Sequence, residues 1–583
     1  MKNKKIAETM GFVLLLILIT AQAIYFGFQK KGYHVDEMFS YGLANSNYMP
    51  FMHMGDDGSY DVADFMQEYG TGNNPIELFR NLGRGVVDFS KAHFRFQNME
   101  MYDAYRTAAE TSKDTKTTTW LTGQYFKDYL TVEEGTRFNL PSVYYNQRGD
   151  VHPPFYYMLL NAVSSIFAGR FSKWFGFAVN YIVLMITLIL LYRMVKNHLG
   201  NYCTAMIAVG IYGFSSGFLT TMVFFRMYAT LTMWTVAMCY FHLYLQKHDF
   251  VMTKKKRSAL TALIFFGFYT QYFYVIYAGT MMLSVIGYLI GKKRGKEIWS
   301  YARCYLRAAI IGVAVWPFSI KHIFFGYQGS SVRASLTGGN VLHKLGRMLN
   351  EFAICCFGGS KVLMYVIIAL GITCYVVSLI RNRKKKKPVI MRYVITFLPA
   401  MVYFVLISLS VSIMVERYVM NVMPFAALFT ALLLGHLCRQ LPKIGKTAYA
   451  MLPTGALALG IAVWTCGLVH RPEYLDVDYQ ENIEIPEHTV CVYVMPDGYW
   501  GEFHKDALVL SKCEKVAVIY ESNLEYLTNY TYESGQTVMV YMSPFINQKQ
   551  TLETVRRNMG IENLRETEFQ LDMSYYQRRM YQE

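Results

Sequence analysis

The first polar cluster that could do chemistry is His34-Val35-Asp36-Glu37, followed by Tyr41, directly after the first long apolar segment. A partly desolvated aspartate at a membrane surface can accept a proton, so Asp36 is a candidate general base. Glu37 is a second candidate catalytic residue, and His34 and Tyr41 are candidates for the lining of the site. The alternative is a solvated acidic pair at the membrane surface. Taken alone, the pair favours that plainer interpretation.

The second cluster is His152-Pro153-Pro154-Phe155, at the start of a short apolar segment. Proline is tolerated in the first turn of a helix, because the N–H that it lacks would have no partner there. His152 is then expected just before a helix N-terminus, where backbone donors and the helix dipole attract anions. An ordinary helix start is the alternative. His152 is therefore a candidate ligand for a phosphate group.

The third cluster consists of Arg226 with Tyr228 and Arg417 with Tyr418, which open two later apolar segments. Arginine is suited to binding phosphate oxygens, because its planar guanidinium presents several N–H donors. The sequence therefore makes Arg226, Tyr228 and Arg417 candidates for a phosphate-binding site. The alternatives are that the arginines extend to lipid head groups and that Arg417 pairs with Glu416.

Long apolar segments must position these residues. Hydrophobic residues make up 53% of the 583 residues and charged residues 17%, against about a quarter in soluble domains. A membrane-spanning helix needs about 20 apolar residues. Such segments begin near residues 10, 174, 202, 227, 302, 361, 390, 418 and 447. Residues 258–290 predict two further helices with a turn at 269–274, so the chain is predicted to be a polytopic α-helical membrane protein with about eleven spans.

Basic residues predict which side of the membrane each loop faces. The apolar segment 153–167 is too short to span, which favours an interfacial or re-entrant helix. If this segment does not cross the membrane, every basic cluster falls on the same side as residues 2–5. Cytoplasmic loops carry an excess of Lys and Arg, so this side is predicted to be the cytoplasm. These clusters are 193–198, 247–257, 292–296, 381–387 and 439–446. The chain is thus predicted to be a multi-pass plasma-membrane protein with a cytoplasmic N-terminus.

This topology places all three polar clusters on the extracytoplasmic side, together with a weaker polar point at Gln271-Tyr272. Gln271 and Tyr272 are candidates for the lining of the site. The formal net charge of +16 lies largely in the short loops between apolar segments, so it indicates membrane topology and not nucleic-acid binding.

Two large polar regions are predicted outside: a first loop at 29–152 within a membrane domain of residues 1–470, and a tail at 471–583. The tail contains short runs rich in Val and Tyr between helical stretches, which predicts a small extracytoplasmic α/β domain. The runs are 490–494, 516–520 and 538–541, and the helical stretches are 502–510 and 548–559. Cys491 and Cys513 lie in this domain, and the sequence is compatible with either a disulfide between them or two free thiols.

Several catalytic motifs are absent from the sequence, namely a Walker phosphate loop, a dinucleotide-binding glycine motif after a strand, HExxH and a nucleophile elbow. In addition, no predicted cytoplasmic segment is long enough to fold as a nucleotide-sugar domain. Any transfer chemistry must therefore use a substrate delivered from the membrane on the outer face.

The order of the motifs resembles that of the GT-C glycosyltransferases. An N-terminal span is followed by the Asp36-Glu37 pair with Tyr41, then by the helix start at His152, then by Arg226-Met227-Tyr228 at a helix mouth. The resemblance is to the family 39-like branch, which contains protein O-mannosyltransferases, the lipid A aminoarabinose transferase and the rhizobial galacturonosyl transferases. It covers residues 8–250 well, and the later spans by general pattern.

The resemblance implies a polyprenyl-phosphate-linked sugar as donor and transfer, with inversion, to an extracytoplasmic glycan, lipid or protein. On this chain it makes Asp36 the base that deprotonates the acceptor hydroxyl, and Glu37 the residue that orients it or helps to hold a divalent cation. It makes His152, Arg226 and Arg417 the groups that neutralise the departing lipid phosphate. It assigns no role to the tail domain.

A non-catalytic lipid or polysaccharide transporter is the alternative from another class. Transporters show broken helices with polar residues near the middle of the membrane. The polar clusters of this chain lie at predicted outer helix ends, which favours the enzyme. No cofactor is required by the sequence, and a divalent cation stays open.

Overall fold

The computed structural model describes two compact units, each built from several stretches of the chain. The first comprises Met1–Lys30, His152–Tyr156 and Lys173–Leu475, and the second Lys31–Val151, Tyr157–Ser172 and Asp476–Glu583. The described residues are 2–52, 120–325, 340–381, 387–440, 470–476, 484–497, 502–529, 536–543, 545–561, 565–572 and 577–582, with 77, 80, 81, 83–85, 329, 331, 332, 334 and 335.

The described residues of the first unit form helices joined by short turns and irregular segments. Its α-helices are Lys2–Gln29, Lys173–Met194, Tyr202–Gly213, Ser216–Val223, Tyr228–Lys247, Lys254–Phe268, Tyr274–Gly291, Gly295–Val315, Phe318–Ile320, Val341–Phe357, Lys361–Arg381, Lys387–Ser410 and Met423–Gln440. Two π-helical turns, Val195–Leu199 and Lys321–Phe325, and a 3-10 helix, Glu416–Val422, continue this pattern. Phe155–Ile166 is a further helix, and only its first two residues belong to this unit.

Local sequence determines where several of these helices begin. Asn201, Ser215, Thr253 and Asn340 each precede a helix and accept a backbone N–H of its first turn through a side-chain oxygen. Such caps satisfy donors that have no partner inside the helix. These four helices therefore begin at capped breaks.

Six of the described helices are long and apolar enough to cross a membrane, or up to eight if each of two bent pairs forms one span. The bent pairs are Tyr202–Gly213 with Ser216–Val223, at 56°, and Val341–Phe357 with Lys361–Cys374, at 86°. The multi-pass helical architecture is thus confirmed, whereas the predicted count of eleven spans is not. The predicted span near 447 lies outside the described residues. The division of residues 258–290 into two helices is confirmed.

The helix Phe155–Ile166 has 12 residues. At 1.5 Å per residue it is about 18 Å long, well short of the roughly 30 Å of hydrocarbon in a bilayer. The length agrees with the expectation that this segment does not cross the membrane. Its interfacial position stays a prediction.

The described residues of the second unit form several helices and a six-stranded sheet. The longer helices are Val35–Asn45, Gly123–Leu130, Leu140–Gln147 and Gln548–Met559, with shorter ones at Glu502–Lys505 and Ala507–Leu510. We label the strands β1 (Trp120–Thr122), β2 (Thr489–Met495), β3 (Lys515–Tyr520), β4 (Thr537–Met542), β5 (Arg565–Asp572) and β6 (Gln577–Gln582). Their order across the sheet is β1-β3-β2-β4-β6-β5. The predicted small α/β arrangement of the tail is confirmed.

The sheet has a parallel centre and antiparallel edges. β3 and β4 both pair in parallel with β2, whereas β1 pairs antiparallel with β3 and β6 antiparallel with β4. β1 comes from the first loop, and its Trp120 pairs with Ala517 of β3 at the edge of the sheet. The sheet of the tail is therefore completed by a strand from the first loop.

Both faces of the central strands are buried. One face packs Val492, Val494 and Val540 against the helix Gln548–Met559. On the other, the buried carboxylate of Asp506 accepts hydrogen bonds from the hydroxyls of Tyr493 and Tyr541, at 2.6 and 3.1 Å. Cys491 and Cys513 are both buried and are free thiols in this structure.

Candidate active site

The acidic pair opens the helix Val35–Asn45 and belongs to the second unit. His34 caps this helix: its Nδ1 accepts the N–H of Asp36 at 3.1 Å, and its own N–H donates to Glu37 Oε2 at 2.8 Å. This reciprocal arrangement is a capping box. Because Nδ1 acts as an acceptor, the neutral His34 ring carries its proton on Nε2.

The two adjacent carboxylates have different surroundings. Glu37 is fully buried, and its side chain accepts the cap hydrogen bond. The Asp36 side chain retains 26% exposure, with Oδ2 3.7 Å from His34 Nδ1. A proton acceptor must be reachable by substrate. Of the two candidates, the geometry therefore suits Asp36 to a role as base and Glu37 to holding the helix start.

Tyr41 lies one turn further along the same helix and is fully buried. Its hydroxyl donates to the carbonyl of Ser172 at 2.8 Å, and its ring lies 4.7 Å from that of Phe171. Both partners belong to the second unit. Through these contacts Tyr41 anchors the helix that carries Asp36.

His152 precedes the helix Phe155–Ile166, as the prolines predicted, and lies in the first unit. The first helical N–H, that of Phe155, donates to the carbonyl of Tyr269 at 3.3 Å. The Phe155 ring packs 5.2 Å from Phe266. The helix start near His152 is therefore fixed against the turn at residues 269–273, and its first donor is already used.

Arg226 lies in the break between the helices Ser216–Val223 and Tyr228–Lys247, and it is 5% exposed. Its backbone N–H donates to the carbonyl of Phe224 at 2.8 Å. The amide of Asn180, from the preceding long helix, donates to the same carbonyl at 2.8 Å. An interrupted helix leaves backbone carbonyls without partners. The Asn180 amide also lies within hydrogen-bond distance of the carbonyls of Thr221 and Met222, at 3.3 and 3.1 Å, and so stabilises the turn that carries Arg226.

Arg417 lies in the 3-10 helix Glu416–Val422, with its guanidinium 5.5 Å from the ring of Tyr418. That ring lies 6.5 Å from Tyr228 and 6.3 Å from Phe273. The predicted phosphate-binding segments around Arg226 and Arg417 are thus joined through aromatic contacts. The same contacts join them to the Gln271-Tyr272 segment.

Gln271 and Tyr272 lie in the turn between two helices of the first unit. Gln271 Oε1 accepts the N–H of Phe273 at 3.1 Å. The Tyr272 hydroxyl accepts the indole N–H of Trp316 at 2.7 Å and lies 2.8 Å from His322 Nδ1. Trp316 and His322 were missed in the sequence, because neither stands in a recognisable motif.

Tyr474 is a further residue that sequence reasoning missed. Its hydroxyl donates to the buried carboxylate of Glu416 at 2.7 Å, and its ring stacks on Phe224 at 4.0 Å with an interplanar angle of 13°. Burial raises the pKa of this hydroxyl well above its usual value, and the Glu416 carboxylate raises it further. The hydroxyl therefore stays protonated and acts as a donor.

The backbone of Tyr474 is held as well. The ammonium of Lys30, which is 1% exposed, donates to the Tyr474 carbonyl at 2.7 Å. The same ammonium lies 5.0 Å from the ring of Phe225, next to Arg226. One signal could have identified Lys30: it is a basic residue on the predicted outer side of a chain that places most basic residues inside.

Among the described residues, no group of three or more His, Cys, Asp or Glu side chains is arranged to hold a metal ion. The carboxylate of Glu37, which the sequence offered for that purpose, is used by the helix cap.

Comparison with known proteins gave one family match. Residues 151–320 match the family model described as dolichyl-phosphate-mannose-protein mannosyltransferase. This match confirms, for that part of the chain, the resemblance to GT-C glycosyltransferases. No curated protein sequence matched.

Solved structures that are similar to this one at low sequence identity include the following two. ArnT from Cupriavidus metallidurans bound to undecaprenyl phosphate has 13% identity and a TM-score of 0.43, over 74% of this chain and 87% of that one. The oligosaccharyltransferase AglB from Archaeoglobus fulgidus, in complex with an inhibitory peptide and a dolichol-phosphate, has 12% identity and a TM-score of 0.39. That match covers 71% of this chain and 63% of AglB.

Proposed function

We propose that this chain is a membrane glycosyltransferase that moves a sugar from a polyprenyl-phosphate-linked donor to an extracytoplasmic acceptor. The observation that carries the proposal is the position of the family match. Residues 151–320 include His152, Arg226, Tyr228, Gln271 and Tyr272, which the sequence had singled out on chemical grounds. A mannosyltransferase family that uses a dolichyl-phosphate sugar accounts for an arginine and for aromatic residues at helix ends in this range.

The chemistry follows from the residue types. Asp36 takes the proton of the acceptor hydroxyl as its oxygen attacks the anomeric carbon of the sugar. The bond from that carbon to the phosphate oxygen breaks, and the polyprenyl phosphate leaves with the electron pair. Attack opposite the leaving group inverts the anomeric configuration.

The leaving phosphate needs fixed positive charge. Arg226 and Arg417 supply it, with His152 as a further donor, since preorganised cations and N–H groups stabilise the charge that develops on the leaving oxygen. Burial of Arg226 strengthens this effect, because screening by water is reduced. Tyr228 contributes a ring that packs at 5.8 Å from Phe224 and so fixes the turn.

The two bent helix pairs favour a second candidate, a transporter of lipid-linked sugars. Broken helices are common in transporters, where they line a site in the middle of the membrane. An enzyme changes the covalent structure of its substrate, and a transporter changes only its side.

Proteoliposomes that contain a labelled polyprenyl-phosphate sugar and acceptors in the outer medium separate these functions. We expect label in the acceptor fraction and unglycosylated polyprenyl phosphate in the membrane. Label that remains lipid-linked but moves between leaflets would support the transporter and contradict the enzyme.

A further inference from the structure

The tail contributes a histidine to the surroundings of the helix Val35–Asn45, within the second unit. His504, from the short helix Glu502–Lys505, is fully buried. Its ring lies 5.0 Å from that of Phe39 and 5.4 Å from that of Tyr129. Phe39 follows Asp36 by three residues, so the two lie on neighbouring positions of one helix face.

His504 also makes a directional contact. Its Nε2 accepts the backbone N–H of Met52 at 2.9 Å. Because Nε2 is an acceptor, the neutral ring carries its proton on Nδ1. Met52 is buried, and a buried backbone N–H that loses its partner destabilises the fold. His504 thus fixes the segment that follows the Asp36 helix, in addition to packing on the helix itself.

The first loop is held to the tail at two further points. β1 pairs with β3, and a side chain at Gly123 would come within 2.0 Å of the carbonyl oxygen of Cys513. The helix that begins at Gly123 carries Tyr129, which lies against Gly42 so closely that an added Cβ would come within 2.0 Å of its ring. Within the second unit, the tail sheet, the helix Gly123–Leu130 and the helix Val35–Asn45 therefore pack together.

We propose that the tail is a working part of the transferase and that His504 is a positioning residue for Asp36. This inference rests on the proposed function of Asp36 as the base. It gives the tail a role, because the sheet and the helix Glu502–Lys505 hold the Val35–Asn45 helix at the angle that the proton transfer requires. A misplacement of about 1 Å at a reacting group can lower the rate by roughly 10²-fold.

The test uses the full-length protein in lipid nanodiscs and three variants. His504→Leu keeps an apolar side chain and removes the acceptor. His504→Gln retains an acceptor oxygen near the position of Nε2. His488→Asn is the matched control, because His488 belongs to the same domain but is exposed and pairs with Glu514 at 3.0 Å.

Hydrogen exchange of residues 35–45 gives a readout that needs no substrate. We expect His504→Leu to accelerate exchange there by roughly tenfold, while exchange in Tyr228–Lys247 is unchanged. His504→Gln should restore most of the protection, and His488→Asn should change neither helix. Unaltered exchange of residues 35–45 in His504→Leu would overturn the inference, whatever the activity.

Kinetics then separate positioning from general stability. His504→Leu should lower kcat by roughly 10- to 10²-fold at an unchanged donor KM, and His504→Gln should recover most of the rate. Faster exchange with an unchanged kcat would also overturn the positioning role. Absence of transfer by the wild-type protein would instead refute the proposed function, and the exchange result would still decide whether His504 holds the helix.

Discussion

The hydroxyl of Tyr474 provides the sharpest test of how the arginine-bearing segments are held. Tyr474→Phe removes the 2.7 Å hydrogen bond to Glu416, whose side chain is 6% exposed, and leaves the ring to stack on Phe224. Loss of one partner of a buried hydrogen bond costs about 1–3 kcal/mol. Glu416 directly precedes Arg417, so we expect the loss to reach the phosphate-binding site.

The expected result has two parts. The free energy of unfolding of the first unit should fall by about 1–3 kcal/mol. The donor KM should rise roughly tenfold with little change in kcat, because about 1.4 kcal/mol of donor binding corresponds to a factor of ten. Denaturant unfolding in nanodiscs measures the first quantity, and initial rates over a series of donor concentrations measure the second.

Tyr301→Phe is the matched control. Tyr301 is also fully buried in the first unit, and its hydroxyl lies 2.7 Å from His242 Nε2. The Tyr301→Phe variant should lose a similar free energy of unfolding without a change in donor KM, because the neighbours of Tyr301 are not candidate phosphate ligands. If Tyr474→Phe shows an unchanged donor KM like the control, Tyr474 only stabilises the fold, and the reasoning that links it to Arg417 is refuted.

Three other predictions follow from the same geometry. Arg226→Ala should raise the donor KM by roughly 10- to 10²-fold, since it removes a charged donor, whereas the exposed Arg303→Ala should not; equal effects would contradict a phosphate site. Glu37→Ala should lower the free energy of unfolding by about 1–3 kcal/mol. Glu37→Gln should lower it by less, because the glutamine keeps an acceptor for the helix cap. A large loss of kcat in folded Glu37→Gln would mean that Glu37, and not Asp36, is the base. In a cysteine-free background, an impermeant thiol reagent applied to intact cells should label Ser534→Cys, which lies outside the described residues, and should label Lys254→Cys only after lysis; the opposite pattern would refute the topology.

The long helices could be predicted because about 20 consecutive apolar residues leave few other structures in a membrane protein. The helix Val341–Phe357 was missed because Lys344, Arg347 and Glu351 interrupt its apolar pattern. In the tail, Val- and Tyr-rich runs predicted β2, β3 and β4. β1 has three residues and a partner almost 400 positions later in the chain, so no local pattern indicates it.

The candidate site shows the same limit. Short motifs indicated Asp36, Arg226 and Arg417 as candidates, because acidic residues and arginines stand out at the ends of apolar segments. The contact between Tyr474 and Glu416 joins residues 58 positions apart and depends on how the helices pack. Sequence patterns report on local structure, whereas the residues that hold a site in place are selected by tertiary contacts.

Donor turnover by wild-type protein and by Asp36→Asn tests the central claim most directly. Asparagine keeps the shape of the side chain but cannot take up the proton of the acceptor. We expect purified wild-type protein in nanodiscs to release polyprenyl phosphate from one member of a panel of polyprenyl-phosphate sugars in the presence of an acceptor. Asp36→Asn should bind that donor with unchanged affinity and transfer the sugar roughly 10²- to 10⁴-fold more slowly. Wild-type rates of transfer in Asp36→Asn would contradict the account.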